Sequence, residues 1–154
     1  MKLFGHPVHP LLIHFPTALL PMDLALSLLY SSTNNASFYQ AGTYCLCAGS
    51  AIGLLAMVTG LIDLMAIPRT EKKAIALALY HGFVNGLIIL IFTVIALKAW
   101  QVFPQPYLVG TAGLVGKGVL VFTLFVGNYL GGQLIYAYYI GINLKKQTHG
   151  NPEP

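Results

Sequence analysis

The stretch AIALALYHGFVNGLIILIFTVIALKAW, residues 74–100, decides the fold of this chain. It is almost wholly apolar, and it exceeds the roughly 20 residues that an α-helix needs to cross the hydrocarbon core of a bilayer. Three more stretches of this kind lie at residues 10–30, 41–67 and 107–140. Only 8% of the 154 residues are charged, against roughly 25% in soluble domains. The sequence therefore predicts an all-α polytopic membrane protein, a bundle of four transmembrane helices.

The connections between the apolar stretches are short and rich in residues that end helices and form turns. They are Ser31-Ser32-Thr33-Asn34-Asn35, then Pro68-Arg69-Thr70-Glu71-Lys72-Lys73, and then residues 101–106 with two prolines. Nothing of the size of a soluble domain is left over. We therefore expect one domain over residues 1–146 and a short polar tail over residues 147–154.

The placement of Lys and Arg predicts how the helices are oriented. If the helices alternate in direction, one membrane face carries Lys2, Arg69, Lys72, Lys73, Lys145 and Lys146, and the other carries only Lys98 and Lys117. Because positive residues collect in cytoplasmic loops, both termini are expected to be cytoplasmic. The net charge of +4 is then mainly a topology signal. The bilayer is the expected partner, and no motif indicates nucleic-acid binding.

Two histidines occupy matching places on the first and third predicted helices, which start at the same face. His14 lies about 6 Å along the helix from Pro10, and His81 about 10 Å from Ala74. Polar side chains within a bilayer are costly and usually face the bundle interior. We therefore expect the His14 and His81 rings to face each other inside the bundle, with Asn85 one helical turn from His81.

Small residues run beside His81 on the third helix. Ala74, Ala78, Gly82 and Gly86 recur every fourth residue and form one row on the helix surface. Such a row serves either close contact between helices or space for a flat macrocycle beside its ligand. The pattern leaves both interpretations open.

The segment HPVHPLLIHFP, residues 6–16, adds His6 and His9, each directly before a proline. A residue before proline is driven from helical towards extended geometry. In polyproline II geometry the two rings would project on one side about 9 Å apart, too far to bind one ion together. We expect them to line the mouth of the bundle and to contact anionic groups such as carboxylates.

Other charged residues form two candidate pairs or clusters. Asp63, at the end of the second helix, lies near Arg69, Lys72 and Lys73 in the sequence and is expected to form a polar cluster with them. Asp23 and Lys117 have similar depths on the first and fourth helices, and an ion pair between these two helices is a hypothesis that rests on this shared depth alone.

The motifs together resemble a bacterial family of predicted membrane proteins called domain of unknown function 2231. The resemblance rests on His6-Pro7-x-His9-Pro10 with His14-Phe15-Pro16, Gly60-x-x-Asp63, His81-x-x-x-Asn85 and Gly131-Gly132-x-Leu134-x-Tyr136. It runs over almost the whole chain and implies a multi-pass protein of the bacterial inner membrane. The family is similar in architecture to small four-helix b-type cytochromes, and relatives occur joined to or near Rieske iron–sulfur domains, which implies electron transfer. The third histidine of the opening motif is not uniform in the family, so His9 is an alternative ligand to His14.

The leading hypothesis is a membrane electron-transfer protein that binds haem b between the first and third helices near the cytoplasmic face. His14 and His81 would be the axial ligands, because imidazole is a common axial ligand of haem iron. Asn85 would help to position His81, and His6 and His9 would hydrogen-bond the propionates. No Cys-x-x-Cys-His motif is present, so covalent attachment is excluded. A lipid quinone or a redox protein such as a Rieske-type protein would be the partner, and the chain itself is a candidate for homo-oligomers.

Two alternatives use the same residues. The first is a non-redox membrane protein, either a proton or small-solute conduit or an assembly subunit, whose histidines titrate near neutral pH beside Asp63. The second is a transition-metal site on His14, His81 and Asp63, since imidazole and carboxylate bind zinc, copper and non-haem iron. No recognisable set of nucleophile, base and orienting group is present. An electron-transfer or membrane subunit is therefore expected before a stand-alone enzyme.

Overall fold

The computed structural model describes the backbone of residues 2–3 and 6–138 and the side chains of residues 8–138. Its helices are α1 (Val8–Thr33), α2 (Ala36–Met65), α3 (Lys72–Val102) and α4 (Thr111–Tyr136). A two-residue antiparallel pair, β1 (Lys2–Leu3) and β2 (His6–Pro7), precedes them. The polar tail and the end of the expected domain lie outside the described residues.

The prediction of four membrane helices is confirmed, since each helix is long and apolar enough to cross a bilayer. The boundaries differ from the apolar stretches because capping and turn residues set them. The Asn35 side chain accepts a hydrogen bond from the Ser37 N–H at 3.1 Å, so α2 begins at Ala36, several residues before the expected start. The prolines after α3 hold the chain in a loop until Thr111, where α4 begins.

The four helices form a closed ring in which α1 packs on α2, α2 on α3, α3 on α4 and α4 on α1. This leaves α1 diagonally opposite α3. The centre is apolar and includes Leu20, Leu46, Ile88, Ile89, Phe92, Val121 and Leu124. Glycines allow close approach: a Cβ built on Gly53 would lie 2.7 Å from Ile89 Cδ1. Large apolar side chains such as Leu11, Phe83 and Phe122 cover the outside, as a surface in contact with lipid requires.

The bundle consists of two similar helical hairpins, α1–α2 and α3–α4. Three of the four buried positions of α1 recur as buried positions of α3 72 residues later, and each of the four buried positions of α4 lies 71 residues after a buried position of α2. The matching buried pairs are Pro16 and Ile88, Leu20 and Phe92, Ser27 and Ala99, Leu46 and Lys117, Ser50 and Val121, Gly53 and Leu124, and Ala56 and Gly127. Because α1 and α3 run in the same direction, the hairpins form a parallel internal repeat. The α1–α4 interface therefore corresponds to the α2–α3 interface.

Candidate functional site

Two histidines from the two hairpins meet inside the bundle. The ring centroids of His9 and His81 are 6.4 Å apart, and their planes make an angle of 82°. His9 is the second residue of α1, whereas His81 is the tenth residue of α3. The contact therefore requires α3 to begin about 12 Å further out along the bundle than α1, at 1.5 Å per residue.

Each imidazole of this histidine pair is held by a backbone carbonyl of the next helix. The Nδ1 atom of His9 lies 2.9 Å from the Ala56 carbonyl oxygen, and that of His81 lies 2.8 Å from the Gly127 carbonyl oxygen. A carbonyl oxygen only accepts, so Nδ1 must be the donor in both rings. In its neutral form each ring consequently carries its free lone pair on Nε2.

A glycine supports each ring, one helical turn beyond the carbonyl that holds it. A Cβ built on Gly60 would lie 2.9 Å from His9 Cε1, and one built on Gly131 would lie 2.6 Å from His81 Cε1. Gly60 follows Ala56 by four residues, just as Gly131 follows Gly127. The two halves of the site thus have the same construction, a carbonyl and a glycine on one helix and a histidine on its hairpin partner.

Asn85 lies against His81, as its position one turn away suggested. Its Nδ2 atom donates to the His81 carbonyl oxygen at 3.2 Å and lies 3.0 Å from His81 Nδ1. A Cβ built on Gly127 would lie 2.5 Å from Asn85 Oδ1, and this oxygen is buried without a hydrogen-bond partner. Asn85 therefore packs against both His81 and Gly127 of α4.

The expected position of His14 is wrong, because its side chain is exposed on the outside of the bundle and His9 takes its place beside His81. Five residues separate His9 from His14, which turns the second ring by about 140° around the helix axis. The extended conformation expected for His9 is also wrong, since α1 already begins at Val8. Pro10 is tolerated there because N–H groups in the first turn need no partner within the helix.

The other predicted site residues lie around this end of the bundle. The His6 backbone is in β2, in extended geometry as expected, but its side chain lies outside the described side chains. Asp63 is half-buried in the last turn of α2, and Arg69 is exposed in the following loop. Within residues 8–138, no group of three or more His, Cys, Asp or Glu side chains is placed to hold a metal ion.

The predicted ion pair between α1 and α4 is confirmed. Lys117 Nζ lies 2.9 Å from Asp23 Oδ2 and donates to Ser27 Oγ at 3.0 Å, and both charged residues are 2% exposed. By the internal repeat, the corresponding residues of the α2–α3 interface are Ile95 and Leu46, which pack in the apolar core. The charge pair thus distinguishes the α1–α4 interface from its counterpart.

Sequence reasoning missed a second polar contact at this interface. Asn128 Nδ2 donates to Thr17 Oγ at 2.9 Å, whereas the corresponding residues of the α2–α3 interface are Met57 and Ile89. For the histidine that faces His81 it preferred His14 and gave His9 as the alternative. The common spacing of 71 to 72 residues between His9 and His81 and between Gly60 and Gly131 was the signal in the sequence that would have identified the pair.

Comparison with known proteins gives a family assignment. A family model described as a predicted membrane protein (DUF2231) matches residues 5–144. No curated protein and no solved structure matches the chain. The matched region includes all four helices, the histidine pair and the buried ion pair. Since it covers most of the sequence, the chain belongs to the DUF2231 family of predicted membrane proteins.

Proposed function

We propose that this protein is a membrane electron carrier in which His9 and His81 are the axial ligands of a haem b. The observation that carries the proposal is the histidine pair itself, two inward imidazoles from different helices with both Nδ1 atoms committed to backbone carbonyls. His9 therefore takes the place of His14 as the proposed ligand from α1. A haem ligated in this way supplies a one-electron redox centre.

The dimensions of the pair support this donor set. An imidazole nitrogen binds a first-row metal at about 2 Å, so two rings that held one ion between them would have centres about 6 Å apart. The observed separation is 6.4 Å. The described residues supply two histidines and no third ligand. A bare ion needs more ligands than this, whereas the iron of a haem already has the four nitrogens of its macrocycle.

The surrounding residues orient the rings. Hydrogen bonds from Nδ1 to a carbonyl fix the tautomer of a histidine ligand and increase its basicity. Gly60 and Gly131 hold the rings against the backbone of α2 and α4, and Asn85 restricts rotation of His81. The chain itself therefore leaves both Nε2 lone pairs out of these hydrogen bonds and holds the rings in one orientation.

Absorption spectroscopy tests the proposal. The protein is expressed with added haem precursor, purified in mild detergent, and measured before and after reduction with dithionite. We expect a Soret band and a sharp α-band on reduction, both lost in His9→Ala and in His81→Ala. His14→Ala is the matched control, since His14 is exposed, and it should keep the wild-type spectrum. A haem spectrum that survives both ligand substitutions, or no haem in a correctly folded wild type, would refute the proposal.

A proton conduit is the second candidate, because polar residues continue along the α1–α4 interface. The His81–Asn85 pair, the Thr17–Asn128 contact and the buried ion pair of Asp23 and Lys117 follow one another along the bundle, and the last two are about 9 Å apart along α1. Proton flux into proteoliposomes made from haem-free protein tests this function. Flux that is lost in His81→Ala would favour it over electron transfer.

A further inference from the structure

A groove opens between α1 and α4 on the side of the bundle that faces lipid. Its volume is about 400 Å³, and it is lined by Ile13, His14, Thr17, Ala18 and Asn128. Sites for small molecules usually measure about 300 to 1,000 Å³. The groove is therefore large enough for the head group of a small lipid-soluble molecule.

Three polar side chains reach this groove. Asn128 Nδ2 donates to Thr17 Oγ, and Thr17 Oγ donates in turn to the Ile13 carbonyl oxygen at 2.7 Å. His14 Nδ1 is 3.4 Å from the Leu11 carbonyl oxygen, longer than the 2.7 to 3.2 Å of ordinary N–H···O bonds. A ligand that hydrogen-bonds the His14 ring would offset the cost of keeping a polar group next to hydrocarbon.

These polar groups have no polar counterparts in the internal repeat. The residues that correspond to His14, Thr17 and Asn128 at the α2–α3 interface are Gly86, Ile89 and Met57. There Met57 packs beside Gly86 and Ile89 is buried in the core. The more extensive α2–α3 interface thus has apolar and small residues at these positions, while the α1–α4 interface presents an imidazole, a hydroxyl and an amide to a groove.

The position of the groove restricts what enters it. His14 lies about 7.5 Å further along α1 than His9 and is exposed on the outside of the bundle, so a membrane-soluble ligand would reach it from the bilayer. Asn128 directly follows Gly127, whose carbonyl oxygen holds His81. The ligand would therefore lie close to the histidine pair, and its head group would need oxygen atoms that pair with an imidazole and an amide.

We propose that this groove binds the head group of a lipid quinone or quinol, with His14 and Asn128 hydrogen-bonding its ring oxygens. The inference rests on the proposed function, because a quinone is the membrane-soluble electron partner of a redox centre held by His9 and His81. In this proposal the exposed His14 binds the quinone and does not bind the haem iron.

Photolabelling tests the binding site without any redox reaction. An azido-substituted short-chain benzoquinone is cross-linked to the purified protein, and the labelled peptides are mapped by mass spectrometry. We expect labels on α1 and α4 around the groove, displaced by unlabelled quinone. His14→Phe and Asn128→Leu should each weaken displacement by about three- to tenfold, the effect of one lost hydrogen bond.

Thr123→Val and Tyr129→Phe are the matched controls, and neither residue lines the groove. Thr123 makes the same hydrogen bond to the carbonyl four residues before it as Thr17 does, and Tyr129 lies beside Asn128 but is 68% exposed. Both should label like the wild type. Labels outside the groove, unchanged displacement in His14→Phe and Asn128→Leu, or equal displacement by a long-chain alcohol without a quinone ring would overturn the proposal.

Reduction kinetics separate this proposal from the haem assignment. In haem-loaded protein, His14→Phe should leave the spectrum and dithionite reduction unchanged while slowing reduction by a short-chain quinol about three- to tenfold. Groove labelling in a folded wild type that takes up no haem would refute the proposed electron carrier and retain the quinone site. A normal haem spectrum with unaltered quinol reduction in both groove variants would refute the quinone site and retain the haem.

Discussion

At the scale of single residues, glycines fix the positions of both imidazoles of the histidine pair. Gly60 and Gly131 face the rings of His9 and His81 so closely that a methyl group on either would overlap the ring. A Cβ built on the neighbouring Gly132 would meet no side chain and no other helix within 4 Å. A side chain at Gly131 would therefore collide with His81, whereas the adjacent Gly132 has room for one.

We predict that Gly131→Ala disturbs the histidine pair and Gly132→Ala does not. A Cβ 2.6 Å from His81 Cε1 must displace the ring or separate α3 from α4, and overpacking of this kind costs about 1 to 3 kcal/mol. Thermal unfolding in detergent measures the effect on stability. If haem is bound, its reduced spectrum should change in Gly131→Ala alone.

The comparison with Gly132→Ala controls for the general preference of helices for alanine over glycine. That preference would stabilise both variants by similar amounts. Equal melting temperatures for the two variants would contradict the close packing of His81 on Gly131.

At the scale of helices, the α1–α4 interface is held by a buried charge pair where the equivalent α2–α3 interface is apolar. Removing one partner of such a pair leaves an uncompensated buried charge, whereas replacing both with apolar residues is often nearly neutral. Ile95 and Leu46 occupy the positions that correspond to Asp23 and Lys117 in the internal repeat. Isoleucine and leucine are therefore suitable apolar substitutes for the two charged residues.

We predict that Asp23→Ile and Lys117→Leu each destabilise the protein by about 3 to 5 kcal/mol, and that the double variant recovers most of the loss. Unfolding in detergent mixtures, analysed as a double-mutant cycle, gives the coupling energy. Additive losses in the double variant would show that the pair does not act as a unit. If the double variant is stable but proton flux is lost, the conduit function gains support.

At the scale of the whole molecule, the two ends of the bundle differ in charge. The α2–α3 loop and the start of α3 carry Arg69, Lys72 and Lys73, whereas no Lys or Arg lies in the loop between α3 and α4. The histidine pair lies towards the first of these ends. The positive-inside rule therefore predicts that this end is cytoplasmic.

Cysteine accessibility measures this orientation. Thr70→Cys and Gln105→Cys place thiols at exposed positions in opposite loops, in a background in which Cys45 and Cys47 are replaced by alanine. A membrane-impermeant maleimide should label Cys at position 105 in intact cells and Cys at position 70 only in inverted vesicles. The reverse pattern would place the histidine pair on the outer side.

The sequence by itself determined the four spans and the all-α class, and it gave the ion pair between α1 and α4 as a hypothesis. These follow from quantities that belong to each segment alone, because the free energy of transfer to lipid depends on a segment's own side chains and a buried charge needs a partner at its own depth. The family motifs added the assignment to DUF2231.

Only the tertiary structure decided which histidine faces His81. That choice depends on where α1 begins, how far α3 extends beyond it and how each helix is rotated, and packing between helices sets all three. A shift of five residues, from His14 to His9, turns the ring from the lipid to the interior. The sequence contained the repeat of 71 to 72 residues, but the side chains differ at most equivalent positions of the two hairpins. The repeat is recognisable only from the equivalent contacts that the two hairpins make in the structure.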